Sequence, residues 1–221
     1  MNRRIRLSMA VLMLAALACS SLSNTTNRVV GSGHVIGEPR NVANFTSVEL
    51  AGSADVNILL GNAESVNVEA DDNIVPLIQT IVTNGKLVIS TKPNVDFASA
   101  HPVVVTLSMK SLERVALSGS GNLNVAARAG PDLVVDLSGS GNIAVDGVAD
   151  HVTISLPGSG NIECKGLKTK SAKVTLMGSG TITVYASETL DASVAGSGAI
   201  RYDGSPAQVT KSITGSGTIT P

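Results

Sequence analysis

Tryptophan is absent, and phenylalanine and tyrosine occur only twice each in 221 residues. A core built on large rings is excluded, and so is the stacking platform on which proteins hold single-stranded nucleic acid. Charge is scarce as well: 15% of the residues are charged, the formal net charge is −1, and like charges form no block. Without a basic stripe there is no electrostatic footprint for a polyanion, so DNA and RNA are not expected partners. The cysteines are Cys19 and Cys164 alone, too few for a disulfide scaffold. The apolar stretch near the start, Leu7 to Ala18, has 12 residues, well short of the roughly 20 that a membrane-spanning helix needs.

That stretch follows Arg3, Arg4 and Arg6 and ends at Cys19-Ser20-Ser21, the layout of an export signal. Residues 1–18 are read as a signal peptide. A cysteine directly after a small residue resembles a bacterial lipoprotein signal, which implies a lipid on Cys19 and a membrane anchor. The run Ala16-Leu17-Ala18 also satisfies ordinary secretory cleavage, and either route leads out of the cytoplasm. Loss of Arg3, Arg4 and Arg6 from the 16 basic residues leaves 13 against 17 acidic ones, a mildly acidic mature chain.

Glycine is what the chain has in quantity. Gly-Ser-Gly recurs at Gly119–Gly121, Gly139–Gly141, Gly158–Gly160, Gly178–Gly180, Gly196–Gly198 and Gly215–Gly217, in steps of 18 to 20 residues. A near-constant period signals stacked units. After each corner, polar and apolar residues alternate as in a strand. Aligned, they give one aliphatic column of Leu123, Ile143, Ile162, Ile182, Ile200 and Ile219, and a second of Val125, Val145, Cys164, Val184 and Tyr202. The segments before the corners alternate too, as in Leu133, Val135, Leu137 and Val152, Ile154, Leu156. Two strands, a sharp corner and a looser return such as Asp146 to Asp150 make one coil. The fold class is therefore all-β, a parallel β-solenoid (β-helix) with coils of about 19 residues. An antiparallel β-meander or barrel suits the spacing, but antiparallel neighbours reverse direction and would not align like with like.

The twelve corner glycines are expected to supply a tight turn with positive φ, repeated at one place in every coil. Asn122, Asn142 and Asn161 beside the corners are placed to bond up the stack, a ladder broken by Thr181 and Thr218. Earlier in the chain, Phe45 to Ile58 is a degenerate first copy of the repeat. Asp71-Asp72-Asn73 caps a predicted short helix over 74–80, and Asn84-Gly85 turns a hairpin. The domain reading is a linker over 19–43 and a repeat domain over 44–221, with a helix-hairpin insertion near 71–91.

Phe45 to Ile58, the insertion, the repeats at 118–122 and 138–142, and the ending Gly198-Ala199-Ile200-Arg201-Tyr202-Asp203-Gly204-Ser205-Pro206 together resemble the auto-transporter adhesin family characterised by a head GIN domain. The resemblance covers roughly Asn44 to Pro221 and implies an exported all-β domain.

Reactive chemistry is sparse. His34, His101 and His151 are far apart in sequence and Cys164 sits in an apolar column, so no metal site and no cofactor is expected. The corners lack the repeated aspartates of calcium-binding coils and the Lys-Ser or Lys-Thr of a phosphate loop. Asp136, Asp146, Glu163 and Asp203 are the carboxylates a glycosidase would draw on, and Asp136 and Glu163 fall on different strands. The resulting expectation is a non-enzymatic, exported lipoprotein at the cell envelope, a binding or adhesin-like module with a glycan or protein ligand. A carbohydrate-active enzyme on the same scaffold and a structural spacer are the alternatives.

Overall fold

The structure, a computed structural model, describes residues 27–128 and 130–221; the signal segment and Cys19 lie outside them. It is a parallel β-solenoid, and the alternation read from sequence explains why. Each coil contributes one strand to each of two parallel stacks, joined in the six regular repeats by the Gly-Ser-Gly corner.

The first stack runs Lys86–Thr91, Ser47–Ala51, Arg114–Leu117, Asp132–Leu137, then the later parts of Asn142–Leu156 and Leu167–Gly178, then Thr189–Gly196 and Gln208–Gly215. The second runs Val104–Met109, Asp55–Leu60, Asn122–Arg128, the early part of Asn142–Leu156, Asn161–Cys164, Thr181–Tyr185, Ala199–Asp203 and Thr218–Thr220. In-register pairing such as Leu123↔Ile143 and Ile143↔Ile162 sets like side chain on like, about 4.8 Å apart. An antiparallel meander is thereby excluded for the repeats.

The two inward columns of the second stack and those of the first, Val115, Val135, Ile154, Val174 and Leu117, Leu137, Leu156, Leu176, form one aliphatic core, nearly all of it buried. Each fully buried Val, Ile or Leu contributes about 1.5–3 kcal/mol, so the missing aromatics are not needed. Cys164 is fully buried in this core. Its apolar surroundings push the thiol far above the usual range, with Glu163 and Asp146 adding to the shift, and it packs as a small apolar group.

Coil order departs from chain order at the start. The coil formed by Lys86–Thr91 and Val104–Met109 lies on one side of the Ser47–Leu60 coil, and Arg114–Arg128 lies on the other. Between them the chain makes antiparallel strands that close this end of the stack. Ser65–Asp71 pairs with Val104–Met109 and with Val35–Arg40, and Ile78–Thr83 pairs with Lys86–Thr91 across Asn84-Gly85. Both turn residues have positive φ, as a two-residue hairpin requires.

Three expectations are corrected. The linker proposed over 19–43 contains strands Asn27–Val30 and Val35–Arg40, the second recruited because the outer edge of Ser65–Asp71 would otherwise be unpaired. The helix over 74–80 shrinks to a single 3-10 turn, Val75–Leu77, because residues 78–83 form the edge strand that covers Lys86–Thr91. The return Asp146 to Asp150 is no loose loop: strand continues through it, with Gly147, Val148 and Ala149 paired to Leu167, Lys168 and Thr169.

The far end is finished differently. Val209 and Ile213, in core-facing register on the last strand of the first stack, are partly exposed. Lys211 occupies the core-facing position between them, paired to Ala192. Its Nζ donates to the Ile219 carbonyl at 3.3 Å and stands 4.7 Å over the Tyr202 ring. A charge pointing inward at a terminal strand discourages further strand addition.

Candidate functional site

Alternation places every second residue of the second stack outward, and these positions form one broad polar face. Its first column is Asp55, Asn122, Asn142, Asn161, Thr181, Ala199 and Thr218, and its second is Asn57, Asn124, Ala144, Glu163, Thr183, Arg201 and Thr220. The amides bond along the stack. Asn122 Nδ2 donates to Asp55 Oδ1 at 2.7 Å, Asn142 to Asn122 Oδ1 at 2.9 Å, and Asn161 to Asn142 Oδ1 at 3.0 Å. In the second column Asn124 donates to Asn57 at 3.2 Å.

Such a ladder holds each amide in one orientation, leaving a second N–H and an oxygen lone pair on each for a ligand. The ladder stops at Thr181, which has no amide to donate. Asp55 as the acceptor at its foot was not legible in sequence, because its coil lacks the full corner motif. With Asn57, Asn124 and Glu163 these residues border a shallow hollow of about 410 Å³.

The carboxylates of the enzyme alternative are spread over both stacks, Asp146, Glu163 and Asp203 on strands of the second and Asp136 on the first. Asp136 faces outward from the first stack and Glu163 from the second. Arg114 Nη2 lies 2.6 Å from its Oδ2, yet burial pushes the Asp136 carboxyl above its ordinary range against that guanidinium. Two coils away, Lys86 donates to Glu49 at 2.6 Å. These diagonal ion pairs tie neighbouring coils together. Asp203 is engaged by Lys165 at 3.5 Å and by the Gly204 N–H at 2.8 Å. The Gly204 N–H, with Lys165 beside it, holds that carboxyl below its usual range.

Sequence separation concealed a polar cluster at the capped end. Buried Asp71 accepts from Ser99 Oγ at 2.6 Å, and its other oxygen is 3.0 Å from His101 Nδ1. The Ser99 hydroxyl, then His101 and the Gly33 amide, lower its pKa against the cost of burial. In a hydrolytic triad the imidazole stands between hydroxyl and carboxylate. Here the carboxylate stands between the other two, so the ring is not positioned to take the Ser99 proton, and the cluster acts as a tie between loops. Among the described residues no group of three or more His, Cys, Asp or Glu side chains is arranged to hold a metal ion.

Of the twelve corner glycines, two have positive φ, Gly196 at 136° and Gly215 at 110°. At the others the expected left-handed turn is replaced by a different requirement, close approach to the coil beneath. A Cβ on Gly139 would fall on the Gly119 carbonyl oxygen, and one on Gly158 on that of Gly139.

Solved structures of several bacterial proteins share this architecture. A crystal structure described as a "putative adhesin" from Bacteroides fragilis superposes with a TM-score of 0.74 at 24% identity, covering 87% of this chain and 99% of that one. A "putative adhesin" from Parabacteroides distasonis is 26% identical, with a TM-score of 0.50 over 88% of this chain and 99% of that one. A "putative lipid binding protein" from the same organism is 24% identical, with a TM-score of 0.53 over 87% and 98%. No curated protein matches. The first five Gly-Ser-Gly corners, the helix-hairpin insertion and the Arg201 to Pro206 ending lie within residues 44–206, the span that matches one family pattern: the chain belongs to the family described as "Putative auto-transporter adhesin, head GIN domain".

Proposed function

We propose that this protein is an exported, lipid-anchored envelope module that binds its partner along the amide face without catalysing a reaction. The observation that carries the reading is the oriented ladder Asp55, Asn122, Asn142 and Asn161 beside a hollow of about 410 Å³. Amides at coil spacing suit an extended polar chain, a glycan or a peptide strand, whose own donors and acceptors repeat along its length. The adhesin descriptions of the structural relatives support the same reading.

Anchoring rests on Cys19 following the apolar stretch Leu7 to Ala18. Intact-mass spectrometry of the membrane fraction is expected to find a chain beginning at a lipidated Cys19. A soluble protein of unmodified mass would remove the anchor from the proposal.

Binding is tested on a glycan and protein array with the signal-free protein. Hits are expected to weaken in steps, about three- to tenfold for Asn142→Ala and again for Asn124→Ala, since each net hydrogen bond is worth about 0.5–1.5 kcal/mol. An array without hits that depend on these side chains would make the protein a spacer. Release of reducing or unsaturated ends from a polysaccharide, abolished by one carboxylate substitution without unfolding, would make it an enzyme.

A further inference from the structure

A second hollow, of about 500 Å³, lies at the far end of the stack beside the 203–206 turn, where outward Thr183 and Arg201 meet core-facing Tyr202 and Val209. Lys165, Thr183, Arg201, Tyr202, Asp203 and Pro206 are among its walls. Lys165 and Asp203 are paired to each other, and Asp203 also takes the Gly204 N–H, so their charges are matched internally. Arg201 differs. It is exposed, stands in register between Thr183 and Thr220, and has no ion-pair partner among the described residues. Beneath it the Thr183 hydroxyl is buried without a hydrogen-bond partner among the described residues. Tyr202 is part of the wall, with Lys211 over its ring at 4.7 Å.

The geometry points to a binding site for the carboxylate of an acidic sugar. A free guanidinium offers two parallel N–H donors that match the planar carboxylate fork. The Ser205 hydroxyl suits a sugar hydroxyl, while Tyr202 and Pro206 offer apolar walls to ring C–H groups. A bare inorganic anion would use Arg201 and leave the rest of the lining unused. The adjoining column also limits the ligand. One coil below Thr183 stands Glu163, followed by Ala144 and Asn124. A sugar chain lying along that column meets a carboxylate next and amides after it. The occupant is therefore an oligosaccharide with one acidic sugar at the end that enters the hollow and neutral sugars behind it, not a polyuronate. This inference rests on the chain being a binding module but uses different residues from the amide ladder.

The test uses the signal-free protein and a neutral trisaccharide capped by one glucuronic acid, followed by calorimetry and amide chemical shifts. Saturable binding is expected, with shifts confined to residues 183–206 and the neighbouring amide column. Arg201→Gln is expected to weaken it at least tenfold with thermal unfolding unchanged, and Arg201→Lys to recover part of the loss. Reduction of the sugar carboxyl to an alcohol should cost as much as Arg201→Gln. Absence of binding, equal binding of the reduced sugar, equal affinity for inorganic phosphate, or indifference to Arg201→Gln would each overturn the proposal. If Arg201→Gln is silent while Asn142→Ala weakens array hits, this site fails and the amide face stands. The converse result separates them the other way.

Discussion

Gly139→Val is expected to destabilise the protein by about 3 kcal/mol, the upper end of the overpacking range, whereas Gly52→Ala leaves stability within about 0.5 kcal/mol, as for a surface substitution. The difference lies in what sits beneath each corner. The Gly119 carbonyl accepts from the Ser140 N–H at 3.0 Å and from the Gly141 N–H at 3.2 Å, and a Cβ on Gly139 would occupy the position of that oxygen. The obstruction is backbone, which cannot rotate away, so relief requires separating the coils and weakening both bonds. Gly139 does not have positive φ, so even Gly139→Ala is expected to be costly. Gly52 heads the same column, but nothing lies within 4 Å of the position its Cβ would take. Chemical denaturation of the three variants decides the matter. Equal stability of Gly139→Ala and wild type would show that the corners separate easily and that the glycines serve no steric purpose.

Leu137→Ala is expected to cost about 2–5 kcal/mol, the range for truncating a buried leucine. Leu137 is fully buried in the column Leu117, Leu137, Leu156 and Leu176, paired across the stack to residues equally constrained. Its Cδ2 also fills the space beneath Gly160, 2.7 Å from where a Cβ there would lie. Truncation leaves a void that neighbouring coils cannot close without breaking register. The void will not rescue Gly160→Ala, because the Gly141 carbonyl still blocks that Cβ. The double variant is therefore expected to be no more stable than Leu137→Ala alone. A double variant more stable than Leu137→Ala, measured by denaturant midpoint at constant m-value, would mean that the leucine rather than the carbonyl sets the need for glycine.

The parallel solenoid was legible in sequence because stacking repeats a chemical requirement at a fixed interval. Ile143, Ile162 and Ile182 occupy one column, and the bonds from Asn142 to Asn122 and from Asn161 to Asn142 follow from the same periodicity. The Asp71, Ser99 and His101 cluster was not legible, since 28 and 30 residues separate Asp71 from its partners and no local pattern links them. Arg201 was legible only as part of the 198–206 ending, and its outward place between Thr183 and Thr220, with Lys165 and Asp203 paired to each other, comes from the structure.

Alternation and period by themselves determined the all-β class, the coil length, the membership of each aliphatic column and the burial of Cys164, since each depends on residues a few positions apart. The tertiary structure alone decided the order of the first coils, in which residues 86–109 pass beneath 47–60 before the chain continues above it. Both segments carry the same strand pattern, and either order buries the same side chains. The choice falls to the antiparallel strands Ser65–Asp71 and Ile78–Thr83, which can satisfy the open backbone edges only of the coil that lies outermost. The need for glycine at Gly139 was likewise tertiary: its own backbone would accept a side chain, and the carbonyl of a residue 20 positions earlier would not.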